Sequence, residues 1–286
     1  MDNIKRVLPL RKYQLQKPLV IAFNIHLTHL NAYGTAHYDR LKDVLVRKRG
    51  ANLAEQSVYL LPNVTNLDTS IEQRAHSMSA RIDRLLSKTG AKQCHLVAHS
   101  FTGVDARAAI SMYGAHHQVE SLTTICSPHL GMKLVDMIHS SCGAYQHHEL
   151  NMERLYEALG ITGRSSLEFN TANMGNFNEV CEDSPGVDYY SIGAKKTGRT
   201  MSKILRQGFD VLVGDEWGDQ CDGMVRDVEA RWGRYLITFE HDHMEMMGFE
   251  PSHDPANVMN LVADNARVCE IKNDDKLKFD YGLDHL

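Results

Sequence analysis

Cys94-His95-Leu96-Val97-Ala98-His99-Ser100-Phe101-Thr102-Gly103 runs from an apolar, strand-like stretch directly into a helical one, with Ser100 at the junction. A serine on such a strand-to-helix turn has its hydroxyl held out at the top of a sheet, where a base can reach it. The general pattern for this nucleophile elbow is G-x-S-x-G, because strand and helix crowd the positions two before and two after the serine. Here those positions hold Ala98, a mild departure, and Thr102, a larger one.

Working outward from this turn, apolar runs of strand length alternate with longer stretches of helical period. This is the pattern of an α/β fold, a mostly parallel sheet with helices on both faces. The runs at 19–25, 58–61, 95–99, 122–126, 189–192 and 235–239 are expected to be strands. Helices are expected over 70–87, with Ile71, Ala75, Met78 and Ile82 on one face and Gly90 beyond its end, and over 101–113 behind the turn. A last helix is expected over 255–268, with Asp254 as N-cap and Val258, Leu261, Val262 and Ala266 facing inward. The stretch at about 132–185 breaks the alternation and reads as an insertion. Ligands of such sheets bind beyond the carboxyl ends of the strands, so an insertion after a middle strand is placed to act as a cap or lid, with a peripheral helical packing element as the equal alternative.

The chain has 286 residues, 43% of them hydrophobic and 23% charged, which suits a single domain over 1–286 with a sizeable core. A net charge of -5 with scattered Lys and Arg supplies no positive face, so nucleic acid is not an expected partner. The first twenty residues mix charges with apolar residues, and no later run is apolar for long enough to span a bilayer. An intracellular protein without a transmembrane segment is expected, cytoplasmic or, given its basic N-terminus, mitochondrial. Six scattered cysteines with no C-x-x-C pair predict free thiols. Among sixteen histidines, His241 with His243 and the pair His147-His148 draw attention, but none has metal-ligand spacing. No metal and no cofactor are expected.

Nucleophilic acyl transfer needs a serine, a histidine to take its proton and a carboxylate to orient the imidazole, in the chain order Ser, acid, His for this architecture. Ser100 is the candidate nucleophile. Asp222, in the turn-forming Cys221-Asp222-Gly223-Met224-Val225, is the candidate acid, with Asp215 and Asp219 as rivals. His243, in the loop after the last expected strand, is the candidate base, and spacing alone leaves His241 open.

These residues carry a resemblance. His99-Ser100 with Gly103, Asp105 and Arg107, followed by Thr124-Ile125-Cys126-Ser127-Pro128-His129-Leu130-Gly131, resembles the bacterial and fungal triacylglycerol lipases of the α/β-hydrolase superfamily. Phe177-Asn178, Val187-Asp188-Tyr189-Tyr190-Ser191, Asp222-Gly223 with Trp232-Gly233, and Asp242-His243-Met244-Glu245 are similar to successive blocks of that family, in the same order, over residues 18–250. The resemblance implies Asp222 as the acid and His243 as the base, with His241 outside the match. It implies an oxyanion hole made by the backbone N–H of Phe101 and that of a residue near Leu27 or Thr28. It also implies that the calcium site of the bacterial members is altered, because Glu245 stands where they have a ligating aspartate. The loop after the first strand reads His26-Leu27-Thr28-His29-Leu30 and lacks both glycines of the family's H-G-L/F-x-G, while Thr102 crowds the other half of the hole. Loss of one oxyanion donor typically costs about 10²–10³ in rate. Two readings result: a serine hydrolase cleaving a carboxylic ester, with an acyl ester or lipid as substrate, and a catalytically impaired relative serving as a binding or structural subunit with protein partners in a larger intracellular assembly.

Overall fold

The computed structural model describes residues 10, 12–25, 36–46, 51–64, 69–140, 167–198, 200–202, 205–206, 210, 220–249 and 253–274. Its strands are β1 (Leu19–Ile25), β2 (Val58–Val64), β3 (Cys94–His99), β4 (Val119–Ile125), β5 (Asp188–Ala194) and β6 (Arg234–Phe239). They form one sheet in the order β2-β1-β3-β4-β5-β6, every pair parallel. The helices are α1 (Ala36–Val46), α2 (Ile71–Thr89), α3 (Phe101–Met112), α4 (Lys133–Ser140), α5 (Thr171–Val180) and α6 (Ala256–Lys272).

Alternate side chains of the strands enter two separate cores, which is why the runs read as continuously apolar. Val20, Ala22, Leu96 and Leu122 pack with Met78, Ile82, Val104 and Ala108 of α2 and α3 on one face. Leu19, Ile21, Val97 and Ile125 pack with Leu41, Leu45, Val258 and Val262 of α1 and α6 on the other. The chain goes from β1 outward to β2 and then back across to β3, so the strand order switches direction between β1 and β3. The crevice beyond the carboxyl ends of these two strands is where such sheets bind ligands, and Ser100 stands at the end of β3.

The strand ends depart from the sequence expectation where tertiary contacts decide them. β2 continues through Pro62 to Val64, which an edge strand tolerates because the missing N–H faces no partner. β4 starts at Val119 and stops before Cys126, whose φ of 50° leaves the extended region. Ser70 caps α2 in a capping box with Gln73, and Gly90 closes it at φ 73°. The last helix runs further than expected, to Lys272, and its N-cap is Pro255 rather than Asp254; the Asp254 carboxylate still accepts the Ala256 N–H at 3.0 Å. Leu261 is only partly buried, packed at the edge of the second core.

The expected insertion at 132–185 contributes α4 and α5, and its stretch 141–166 lies outside the described residues, as do His147 and His148. Cys94, Cys126, Cys181, Cys221 and Cys269 are free and buried. Among the described residues, no helix is long and apolar enough to cross a membrane.

Candidate active site

The β3–α3 turn holds Ser100 at φ 58° and ψ -139°, a conformation that costs a non-glycine residue of order 1–3 kcal/mol. The surroundings hold it there: Ser100 N–H donates to Ile125 O of β4 at 2.9 Å, and Gly103 N–H donates back to Ser100 O at 3.0 Å. Gly103 faces Thr124 of β4 and Ser127 just beyond it. A Cβ on it would lie 2.1 Å from Ser127 Oγ and 2.7 Å from Ser127 Cβ. Thr102, expected to crowd the turn, is buried in the first turn of α3 and leaves the strained serine conformation intact.

The candidate acid lies between β5 and β6. Asp222 Oδ1 accepts the N–H groups of Met224 at 2.9 Å and Val225 at 2.8 Å, the local turn that an Asp favours. Gly223 takes φ 100° inside that turn, against Met201 and Leu205. The candidate base follows β6. His243 N–H donates to Asp222 O at 3.0 Å, so backbone as well as side chain ties base to acid. Its Nδ1 lies 2.7 Å from Asp222 Oδ2, and its Nε2 lies 2.9 Å from Ser100 Oγ. A carboxylate accepts, so Nδ1 carries the ring proton and Nε2 presents its lone pair to the serine hydroxyl. Asp222 and His243 are buried, with Ser100 at the open end of the chain of hydrogen bonds.

The loop carrying the base is fixed on several sides. Asp242 Oδ1 accepts Met244 and Glu245 N–H, both at 3.0 Å, while Glu245 Oε2 accepts Asp242 N–H at 2.9 Å, a reciprocal cap. Asp242 Oδ2 accepts the Ser202 N–H, and Lys196 Nζ forms an ion pair with Glu245 Oε1. Lys196 N–H in turn donates to Cys221 O, beside the acid. His99 packs its ring 4.5 Å from that of His243, and its Nε2 donates to His243 O at 3.1 Å. Cys126 Sγ lies within 4.8 Å of ligand-type atoms of Asp222 and His243; burial first, then the charge of Asp222, pushes its thiol well up, so it stays protonated as a weak donor toward the carboxylate. The Phe101 ring, next to the nucleophile in sequence, lies against that of Phe169 with centroids 4.1 Å apart and a tilt of 31°, and Phe169 is buried in the first core.

Of the residues singled out from sequence, the structure thus brings Ser100, Asp222 and His243 together, with Phe101 adjacent. It separates His241, whose Nδ1 bonds to Glu240 O and whose Nε2 bonds to His253. Leu27, Thr28, Asp215 and Asp219 lie outside the described residues. The contacts of His99, Cys126 and Lys196 were not foreseen, and nothing in their local sequence signals them. Asp242 with Glu245 three residues on has the spacing of a capping pair and could have been recognised.

No family model matches the chain. Triacylglycerol lipase 2 of Saccharomyces cerevisiae is 27% identical over 187 residues, which is 63% of this chain and 55% of that protein, so the chain spans about half the length of this relative. Among solved structures, the mature form of a Bacillus licheniformis lipase superposes with a TM-score of 0.59 at 19% identity, over 82% of this chain and 89% of that one. A metagenomic carboxyl esterase gives 0.61 at 17% identity over 89% and 76% of the two chains. The Staphylococcus hyicus lipase gives 0.57 at 13% identity over 92% and 97%. At these identities the structural likeness speaks for the fold and the yeast relative for the sequence: this chain is a lipase-like protein of α/β-hydrolase fold.

Proposed function

We propose that the protein is a serine hydrolase of carboxylic esters, with lipid esters as its substrate class. The observation that carries this reading is the unbroken line from Ser100 Oγ through the His243 ring to the Asp222 carboxylate, with hydrogen bonds of 2.9 Å and 2.7 Å. Ser100 Oγ attacks the ester carbonyl carbon while His243 Nε2 takes its proton, and Asp222 stabilises the imidazolium that forms. The oxyanion is received by the N–H of Phe101 and by that of a residue near Leu27 or Thr28. Collapse of the tetrahedral intermediate expels the alcohol, which takes the proton from His243. Water, deprotonated by the same histidine, then cleaves the acyl-enzyme and releases the carboxylic acid. The reaction requires no cofactor. The chain acts as one domain; of the cap-like insertion expected at 132–185, the flanks with Met132, Val135, Met174 and Cys181 pack into the first core. The name of the yeast relative, a triacylglycerol lipase, supports a lipid ester as substrate.

The altered loop at 26–30 and Thr102 are the observations that favour the binding-subunit reading instead. Labelling with a fluorophosphonate probe at neutral pH separates the two. Wild type is expected to label at Ser100, and Ser100→Ala and His243→Ala to lose the label. Folded wild-type protein that takes no label overturns the hydrolase reading and turns attention to protein partners.

A further inference from the structure

A second group of ligand-type side chains converges on the far side of the base loop. His241 stands two residues before His243, Glu245 two residues after it, and His253 comes from the segment that leads into α6. One nitrogen from each imidazole and one Glu245 oxygen lie within 4.8 Å of one another. His241 Nε2 and His253 Nε2 are 3.1 Å apart with the rings edge-on at 80°, and His253 Nδ1 is 3.8 Å from Glu245 Oε1.

His241 Nδ1 lies 2.7 Å from Glu240 O, an acceptor, so Nδ1 carries the proton and the Nε2 lone pair accepts the His253 Nε2–H; an ion held between the two nitrogens takes that proton's place. A backbone carbonyl behind the distal nitrogen is how metal-bound imidazoles are usually oriented. Two nitrogens bound to one tetrahedral zinc at about 2.0–2.1 Å are about 3.3–3.4 Å apart, a few tenths more than the separation here. His241 and His253 are partly exposed, so an ion has access from solvent. Glu245 Oε1 is ion-paired to Lys196 Nζ, so a cation entering the cluster must displace that ammonium.

We propose that His241, Glu245 and His253 form a binding site for one divalent transition metal of the zinc type, which competes with Lys196 for the Glu245 carboxylate. Two imidazoles and a single carboxylate suit zinc; calcium requires six to eight oxygen ligands. The ion ties the loop that carries His243 to the segment preceding α6, in place of its tether to Lys196. The site is independent of the hydrolase reading, because it is defined by binding and not by turnover.

The test is Zn²⁺ titration of the chelator-stripped full-length protein in competition with a chromophoric chelator, with circular dichroism to confirm folding. Wild type is expected to bind one ion per chain. His241→Ala and His253→Ala each weaken binding by at least about tenfold. Lys196→Met tightens it, because the competing ammonium is gone, whereas Lys196→Arg does not. Lack of stoichiometric binding by the wild type overturns the proposal, and so does binding that neither histidine substitution changes.

Discussion

Asp222→Asn is the substitution that separates catalysis from folding at the proposed triad. Besides the weak Cys126 thiol, Asp222 receives three N–H donors on its side chain, from Met224 and Val225 at Oδ1 and from His243 Nδ1 at Oδ2. An asparagine with its oxygen at the Oδ1 position keeps the two backbone bonds and the shape of the side chain. Its NH₂ then faces His243 Nδ1, and two donors cannot share one hydrogen bond. The imidazole relieves the conflict by moving its proton to Nε2, 2.9 Å from Ser100 Oγ, where a lone pair is needed. The base then cannot accept the serine proton. In the serine-protease template, the same exchange lowers kcat by about 10⁴, which is about 5 kcal/mol of transition-state stabilisation. The stability cost is much smaller, about 1 kcal/mol for one charged acceptor exchanged for a neutral one. Asp222→Ala, by contrast, strands three buried donors at about 1–3 kcal/mol each and confounds the two effects. The assay is hydrolysis of a p-nitrophenyl ester and the rate of fluorophosphonate labelling, beside a thermal melt. A folded Asp222→Asn protein that keeps its rate within tenfold of wild type refutes the reasoning and returns Asp215 or Asp219 as the acid.

Gly103→Ala forces a Cβ to within 2.1 Å of Ser127 Oγ, and α3 must shift off the sheet. Roughly 1–3 kcal/mol of destabilisation is expected in urea denaturation. Asp105→Asn takes one charged partner from the fully buried Arg74 guanidinium, which keeps Glu168, so a loss of about 3 kcal/mol should appear in the same experiment. His129 is buried and lies beside Arg107, and both burial and that charge hold its imidazole well below the ordinary value of 6.5. The unfolded chain therefore takes up the proton first as pH falls. The stabilisation is complete above pH 6.5 and is lost below it at about 1.4 kcal/mol per pH unit. Replacement with glutamine should flatten the stability difference measured between pH 7.5 and 5.5, and a slope identical to wild type would count against a neutral buried His129. Ser70→Ala removes the hydroxyl that accepts the Gln73 N–H and leaves the Ser70 N–H bond to Gln73 Oε1, so a loss of about 1 kcal/mol is expected, read by calorimetry.

The strands were legible because burial on both faces leaves an uninterrupted apolar signature, and α2 because its apolar face, cap and terminal glycine agree. Strand ends were not, since Pro62 is tolerated only by an edge and Cys126 leaves β4 through a positive φ that its local sequence does not announce. At the site, chain order and family blocks pointed to Ser100, Asp222 and His243. Sequence had no means of placing Lys196 between the acid and base loops, or His253 against His241, because those neighbours meet only once the sheet forms. The elbow makes the physical reason plain. A pattern that demands a small residue two places after the serine marks Thr102 as the obstacle. The structure puts the tight contact one residue later, where Gly103 meets Ser127, while Thr102 is buried and the serine keeps its positive φ. The family pattern H-S-x-G-G keeps its second glycine here and loses its first, and it is the second that α3 needs in order to lie against β4. The strained turn therefore survives at the glycine that packs against Ser127, and the departures at Thr102 and in the loop at 26–30 bear on the proposed oxyanion hole rather than on the serine's conformation.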